Sequence, residues 1–99
     1  MLNVNMTIEP ERTILALEGR LDTVTAPALQ KSIDELPAGT ADLTLDFSDL
    51  EYISSAGLRV LLSAHKRMAK KGGMRVANVS PAILEIFEVT GFSDILTIC

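Results

Sequence analysis

Asp42-Leu43-Thr44-Leu45-Asp46-Phe47 alternates polar and apolar residues, and from Ala56 onward the period changes. Leu58, Leu61, Leu62, His65, Met68 and Ala69 recur at helical spacing. A period of two marks a strand with one face buried, whereas a period near 3.6 marks a helix with one apolar stripe. The spacing therefore predicts a strand over 42–47 followed by a helix over 56–71. Lys66, Arg67, Lys70 and Lys71 suit the negative end of that helix's dipole, and Gly72-Gly73 offers a left-handed exit. At the junction stand Ser54-Ser55-Ala56-Gly57, two hydroxyls at the mouth of a helix.

The same reading extends outward in both directions. Leu2, Val4, Met6 and Ile8 alternate with Asn3, Asn5, Thr7 and Glu9, which predicts a strand. Glu9-Pro10-Glu11-Arg12 turns the chain, and Thr13 to Glu18 returns as a second strand, completing an antiparallel hairpin. Gly19 to Thr23 reads as a loop. Thr25 is expected to cap a helix with Pro27 in its first turn and Leu29, Ile33 and Leu36 on its apolar stripe. Pro37-Ala38-Gly39 ends it. Met74, Val76 and Asn78 predict a fourth strand, Ser80-Pro81 the cap and start of a short helix to about Val89, and Ile95 to Ile98 a last short strand. The order is ββαβαβαβ. Right-handed crossovers then give an α/β fold: one domain over residues 1–99, a mixed β-sheet covered by helices.

Composition limits what such a domain can do. The 99 residues carry a net charge of −4, which excludes the basic field that a nucleic-acid surface needs. With 47% hydrophobic residues the chain can bury a core without disulfides or metals. Cys99 is the sole cysteine and reads as a spare thiol in a reducing compartment. The start of the chain has no signal-peptide pattern and no apolar run long enough for a membrane span, so a soluble cytoplasmic protein is expected.

Ser54 and Ser55 have two readings, and both stand at this point. A serine at the cap position satisfies a first-turn N–H and contributes about 1 kcal/mol. A serine there is also a phosphate acceptor, placed where free amides and the positive dipole end tolerate the new charge. Gly57, unfavourable so early in a helix, either keeps the approach to the serines open or allows close packing. Asp22, Asp46, Asp49 and Glu51 are expected to border the serines, because loops after parallel strands gather at one edge of the sheet. Taken singly, each is an ordinary solvated carboxylate. An enzyme using Ser55 as nucleophile lacks a base: His65, the sole histidine, lies about 15 Å further along the helix. It reads as a half-buried helix-face residue. Walker, dinucleotide, nucleophile-elbow and zinc motifs are absent, so neither a cofactor nor a metal is expected.

Three segments, in order, resemble the STAS-domain family and within it the bacterial anti-sigma-factor antagonists. They are Leu17-Glu18-Gly19-Arg20-Leu21-Asp22-Thr23-Val24-Thr25-Ala26, the run Leu45 to Leu61 around Ser54-Ser55-Ala56-Gly57, and Ser80-Pro81 through Phe87 to Thr90-Gly91-Phe92. The resemblance spans about Val4 to Ile98. It implies a cytosolic, non-enzymatic switch protein. The unphosphorylated form would bind an anti-sigma factor that is also a serine kinase and carries the ATP, releasing the sigma factor. Phosphorylation at Ser55 would end binding, and a serine phosphatase would restore it. It further implies a docking face of Asp22, Thr23, Asp46, Ser54, Ala56, Gly57 and Arg59 around Ser55. The family often has Asp where Ser54 stands, which makes Ser54 a second possible acceptor. It also motivates an alternative, a phosphorylation-independent scaffold in a signalling assembly or beside a transporter.

Overall fold

β1 (Leu2–Ile8), β2 (Arg12–Leu21), β3 (Asp42–Ile53), β4 (Gly73–Ala77) and β5 (Thr97–Ile98) form one sheet in the order β1-β2-β3-β4-β5. The computed structural model describes residues 1–98. Cys99, expected as a spare thiol, lies outside them. β1 is antiparallel to β2, and every later pairing is parallel. The connections are α1 (Ala26–Asp34), α2 (Ser55–Met68) and α3 (Pro81–Thr90), with a 3-10 turn at Phe92–Asp94 before β5.

Each parallel crossover steps to the next strand in the same direction. If all are right-handed, all three helices must lie on one face of the sheet. Burial agrees. Leu15, Leu17, Leu43, Leu45, Met74 and Val76 are buried, while their strand neighbours Ile14, Ala16, Thr44, Asp46, Arg75 and Ala77 are half-buried or exposed. The helices therefore cover one face only. Leu29 and Ile33 of α1, Leu61 and Met68 of α2, and Ile83 and Phe87 of α3 fill the core from above. Phe47 and Phe87 meet at its centre, with ring centroids 6.3 Å apart.

Two strands run further than the hydrophobic pattern predicts. Gly19, read as the start of a loop, lies inside β2 with φ +105°. A side chain there would run into the Met1 carbonyl, so only glycine lets the β1 end approach. β3 continues six residues beyond Phe47 to Ile53. Between Asp46 and Asp49 three steps on β3 face two on β2, and between Leu50 and Tyr52 two steps face one. These bulges put Ser48 and Asp49 side by side on the exposed side and erase the two-residue period. α1 and α2 each stop sooner than expected, and the last strand begins at Thr97 rather than Ile95. His65 is half-buried as read from the sequence. No helix among the described residues is long and apolar enough to cross a membrane.

One buried polar pair ties the hairpin to the segment before β3. The hydroxyls of Thr13 and Thr40, both buried, lie 2.9 Å apart. Thr13→Val should cost about 1–3 kcal/mol, since it strands the Thr40 hydroxyl without a partner. The double variant Thr13→Val/Thr40→Val should recover much of that loss, because neither buried donor is then left over. Urea unfolding of the four-member cycle measures this. Simple additivity of the two single losses would contradict it.

Candidate functional site

The β3–α2 junction divides the labour between its two serines. Ser54 is the N-cap of α2, with extended backbone (φ −101°, ψ 175°), and its Oγ accepts from Gly57 N at 3.4 Å. Its own N–H donates to Leu21 O at 2.8 Å, fastening the junction to the end of β2. Ser55 is the first helical residue and is exposed, and its hydroxyl has no hydrogen bond among the described residues. The amides of Ser55 and Ala56 precede the first intrahelical bond, Leu58 N to Ser54 O at 3.0 Å, and are free donors. Arg59, exposed and four residues on, shares the helix face of Ser55.

Ser54→Ala should therefore lower stability by about 1 kcal/mol, whereas Ser55→Ala should stay within about 0.5 kcal/mol of wild type. Denaturant midpoints of the two variants compare them directly. Equal losses would mean that the hydroxyls share the cap.

Gly57 is buried. A Cβ there would come 2.7 Å from Leu21 Cγ and 2.9 Å from Ile53 Cγ1. Close packing, not an open approach to the serines, explains this glycine: the first turn of α2 lies directly on the ends of β2 and β3. Gly57 thus supports the Ser54–Ser55 turn from beneath and offers almost no surface of its own.

Asp22 stands beside the junction, one residue after Leu21. Its Oδ1 accepts from Val24 N and Thr25 N, each at 3.0 Å, and lies 3.1 Å from Thr25 Oγ1. The Thr25 amide is the chief reason its carboxyl is held below the ordinary carboxylate range. Asp22 accordingly stays ionised at neutral pH, within the loop that flanks Ser54. Thr25 occupies the cap position of α1 but does not cap it with its side chain. Its hydroxyl is engaged by Arg20 O at 2.7 Å and accepts from Asp22 N at 2.8 Å. Thr23 is exposed on the same loop, and Ala56 is half-buried.

Asp46 is not at this site. It lies mid-strand, level with Ala16 on one side and Ala77 on the other. It stands seven positions before Ile53, roughly 20 Å along the strand. Its carboxylate accepts from Asn78 Nδ2 at 2.9 Å and Ser48 N at 3.0 Å, with Asn78 the main cause of its lowered pKa. Asn78 adopts φ +58° there, a left-handed conformation that asparagine tolerates. Asp49 and Glu51 sit on β3 itself, exposed, rather than in a loop. The expected acidic rim thus shrinks to Asp22 beside the serines and Glu51 shortly before them.

The structure adds residues that the sequence reading passed over. Val24 is 86% exposed at the tip of the Asp22 loop, and Tyr52 is 38% exposed just before the junction. Arg20, paired with Tyr52 across the strands, places its guanidinium 4.3 Å from the ring centroid. An apolar residue inside the polar run Asp22-Thr23-Val24-Thr25 was the signal for the first. The bulges in β3 hid the second.

A helix opening on an exposed serine, packed onto a sheet of order β1-β2-β3-β4-β5 with one antiparallel edge, matches a known family. The model described as STAS domain fits residues 3–99. The chain belongs to the STAS domain family. Across 98% of its length this STAS chain is 29% identical to the anti-sigma-B factor antagonist of Bacillus subtilis, covering 92% of that protein. It is 28% identical to the anti-sigma F factor antagonist of Paenibacillus polymyxa, over 98% of the chain and 87% of the relative. Among solved structures, an anti-sigma factor antagonist from Mycobacterium paratuberculosis superposes with a TM-score of 0.89 at 25% identity, covering 99% of this chain and 85% of that one. The phosphorylated form of the Bacillus cell-fate determinant SpoIIAA shares the fold, with a TM-score of 0.75 at 17% identity over 98% of this chain and 91% of that one.

Proposed function

We propose that this STAS chain is an anti-sigma-factor antagonist switched by phosphorylation of Ser55. Without phosphate, the face formed by the Asp22 loop and the first turn of α2 binds an anti-sigma factor and thereby frees a sigma factor. The partner doubles as a serine kinase and holds the ATP. Transfer of its γ-phosphoryl group to Ser55 Oγ releases ADP and ends the complex, and a serine phosphatase returns the chain to its binding form. In this reading the chain acts as a binding module and the kinase supplies the chemistry of the transfer.

One observation carries the reading: capping falls to Ser54, which leaves the Ser55 hydroxyl exposed and uncommitted beside free amides. A phosphate there adds about −1.5 to −2 charges. The Ser55 and Ala56 amides, the positive helix end and Arg59 offset that charge within the fold. A partner docked on this face would meet the added charge directly. The names of the relatives supply the class of partner, and three of the four quoted are named as antagonists of anti-sigma factors.

The test is phosphotransfer from a kinase-type anti-sigma factor of the same organism, followed by mapping of the modified residue. Phosphate on Ser55, lost in Ser55→Ala and retained in Ser54→Ala, is the expected result. Modification confined to Ser54, or none, would overturn the assignment.

A further inference from the structure

The outer edge of β1 is bare. Among the described residues β1 pairs with β2 alone, so its outward backbone N–H and C=O groups have no strand partner. Sheet edges are ordinarily blunted by charge, proline, a bulge, brevity or a covering segment. The opposite edge follows that rule, because β5 is two residues long. β1 does not. Its seven residues, Leu-Asn-Val-Asn-Met-Thr-Ile, hold no charge, proline or glycine in a chain that is 22% charged. Its register with β2 advances residue for residue, without a bulge. Val4 and Met6 are only partly buried, and Ile8 is 63% exposed.

We propose that β1 is a self-association edge, on which the β1 of a second copy of this chain pairs antiparallel about a two-fold axis through Asn5. The strand is complementary to itself in that arrangement. Leu2 faces Ile8, Val4 faces Met6, Asn3 faces Thr7 and Asn5 faces its own equivalent. Apolar residues meet apolar ones on the helix-covered face, and amides and hydroxyls meet on the open face. A net charge of −4 on each copy opposes association in general, but no residue of β1 brings like charge to the seam. An antiparallel pairing is also closed: it stops at two copies, whereas a head-to-tail contact would continue into a fibre.

The two sheets join into one, with all helices on the same side. Leu2 pairs with Gly19, toward the end of β2 that carries the Asp22 loop and Ser54. The two-fold therefore sends the Ser55 faces of the two copies in opposite directions, both open. Association at β1 thus neither needs nor blocks the switch, and it makes the pair bivalent toward partners. One strand edge from each copy buries little surface, so the contact belongs to the weak, concentration-dependent class.

Sedimentation equilibrium over a dilution series tests this. The wild-type mass should rise toward twice the monomer with concentration, while Asn5→Lys, which sets two cations against each other on the axis, should remain monomeric with an unchanged melting curve. A second readout uses cysteine pairs in a Cys99→Ser background. Asn5→Cys should form a disulfide dimer with itself on mild oxidation. Asn3→Cys and Thr7→Cys should each cross-link poorly alone and well when mixed. A wild-type chain that stays monomeric throughout, an Asn5→Lys variant that still dimerises, or cross-linking with no preference for these pairs would each overturn the proposal.

Discussion

Ser55→Asp should bind its anti-sigma partner at least ~30-fold more weakly than wild type, because an unmatched charge inside an interface costs about 2–5 kcal/mol. Ser55→Ala should bind as wild type does and resist switching. The asymmetry follows from the division of labour at the junction. Ser54 already supplies the cap, so changing Ser55 leaves the helix intact. Asp22, ionised and fixed in the neighbouring loop, already places one negative group on the face proposed for the partner. A second charge at Ser55 adds to it. Calorimetry with the three proteins reads the difference. Equal affinity of Ser55→Asp and wild type would instead favour the phosphorylation-independent scaffold, for which the Ser in place of Asp at position 54 is the motive. Circular dichroism separates both outcomes from unfolding, since the Ser55 side chain touches nothing in the core.

Phe47→Ala should destabilise the domain by about 3–5 kcal/mol, the range for a buried ring replaced by a methyl group. Phe47 is fully buried at the centre of β3, against Phe87 of α3. Phe87, the ring packed against it, is itself fully buried and held in α3, so it is not free to fill the space. A domain of ordinary stability has about 5–15 kcal/mol in total. The variant should therefore melt on the order of 15–30 °C lower. Guanidinium unfolding with an unchanged slope would tie the loss to stability rather than to a changed unfolded state. A loss below about 1 kcal/mol would show that the core collapses readily around the gap.

Both predictions draw on parts of the fold that the sequence made plain, and on parts that it hid. The alternation in Leu2 to Ile8 and in Asp42 to Phe47, and the helical recurrence from Leu58 to Met68, gave the element order and the inward faces correctly. Those segments obey a single period throughout. The period fails where the chain bulges. Ser48 and Asp49 are adjacent and exposed, so the two-residue pattern stops at Phe47 and sets Asp46 near a strand end beside the serines. Once the strand runs on to Ile53, Asp46 moves away. Gly19 misled for a related reason: a glycine with positive φ marks a loop in most sequences, but here it admits a neighbouring strand. Thr25 has the position and residue type of a cap, but its hydroxyl is spent on the loop that shapes Asp22 instead. The role of Gly57 depended on what lies beneath it, which no local pattern reports.

The seat of α2 on the sheet has a temporal consequence. Its first turn is held by the Ser54 amide on Leu21 and by the Gly57 backbone pressed against Leu21 and Ile53. Nothing in that seat has to move for a group to be written onto Ser55 or erased from it. In the proposed switch, response time would then be set by how fast the modifying enzymes act and how long the complex lasts, with no slow refolding step to act as a timer.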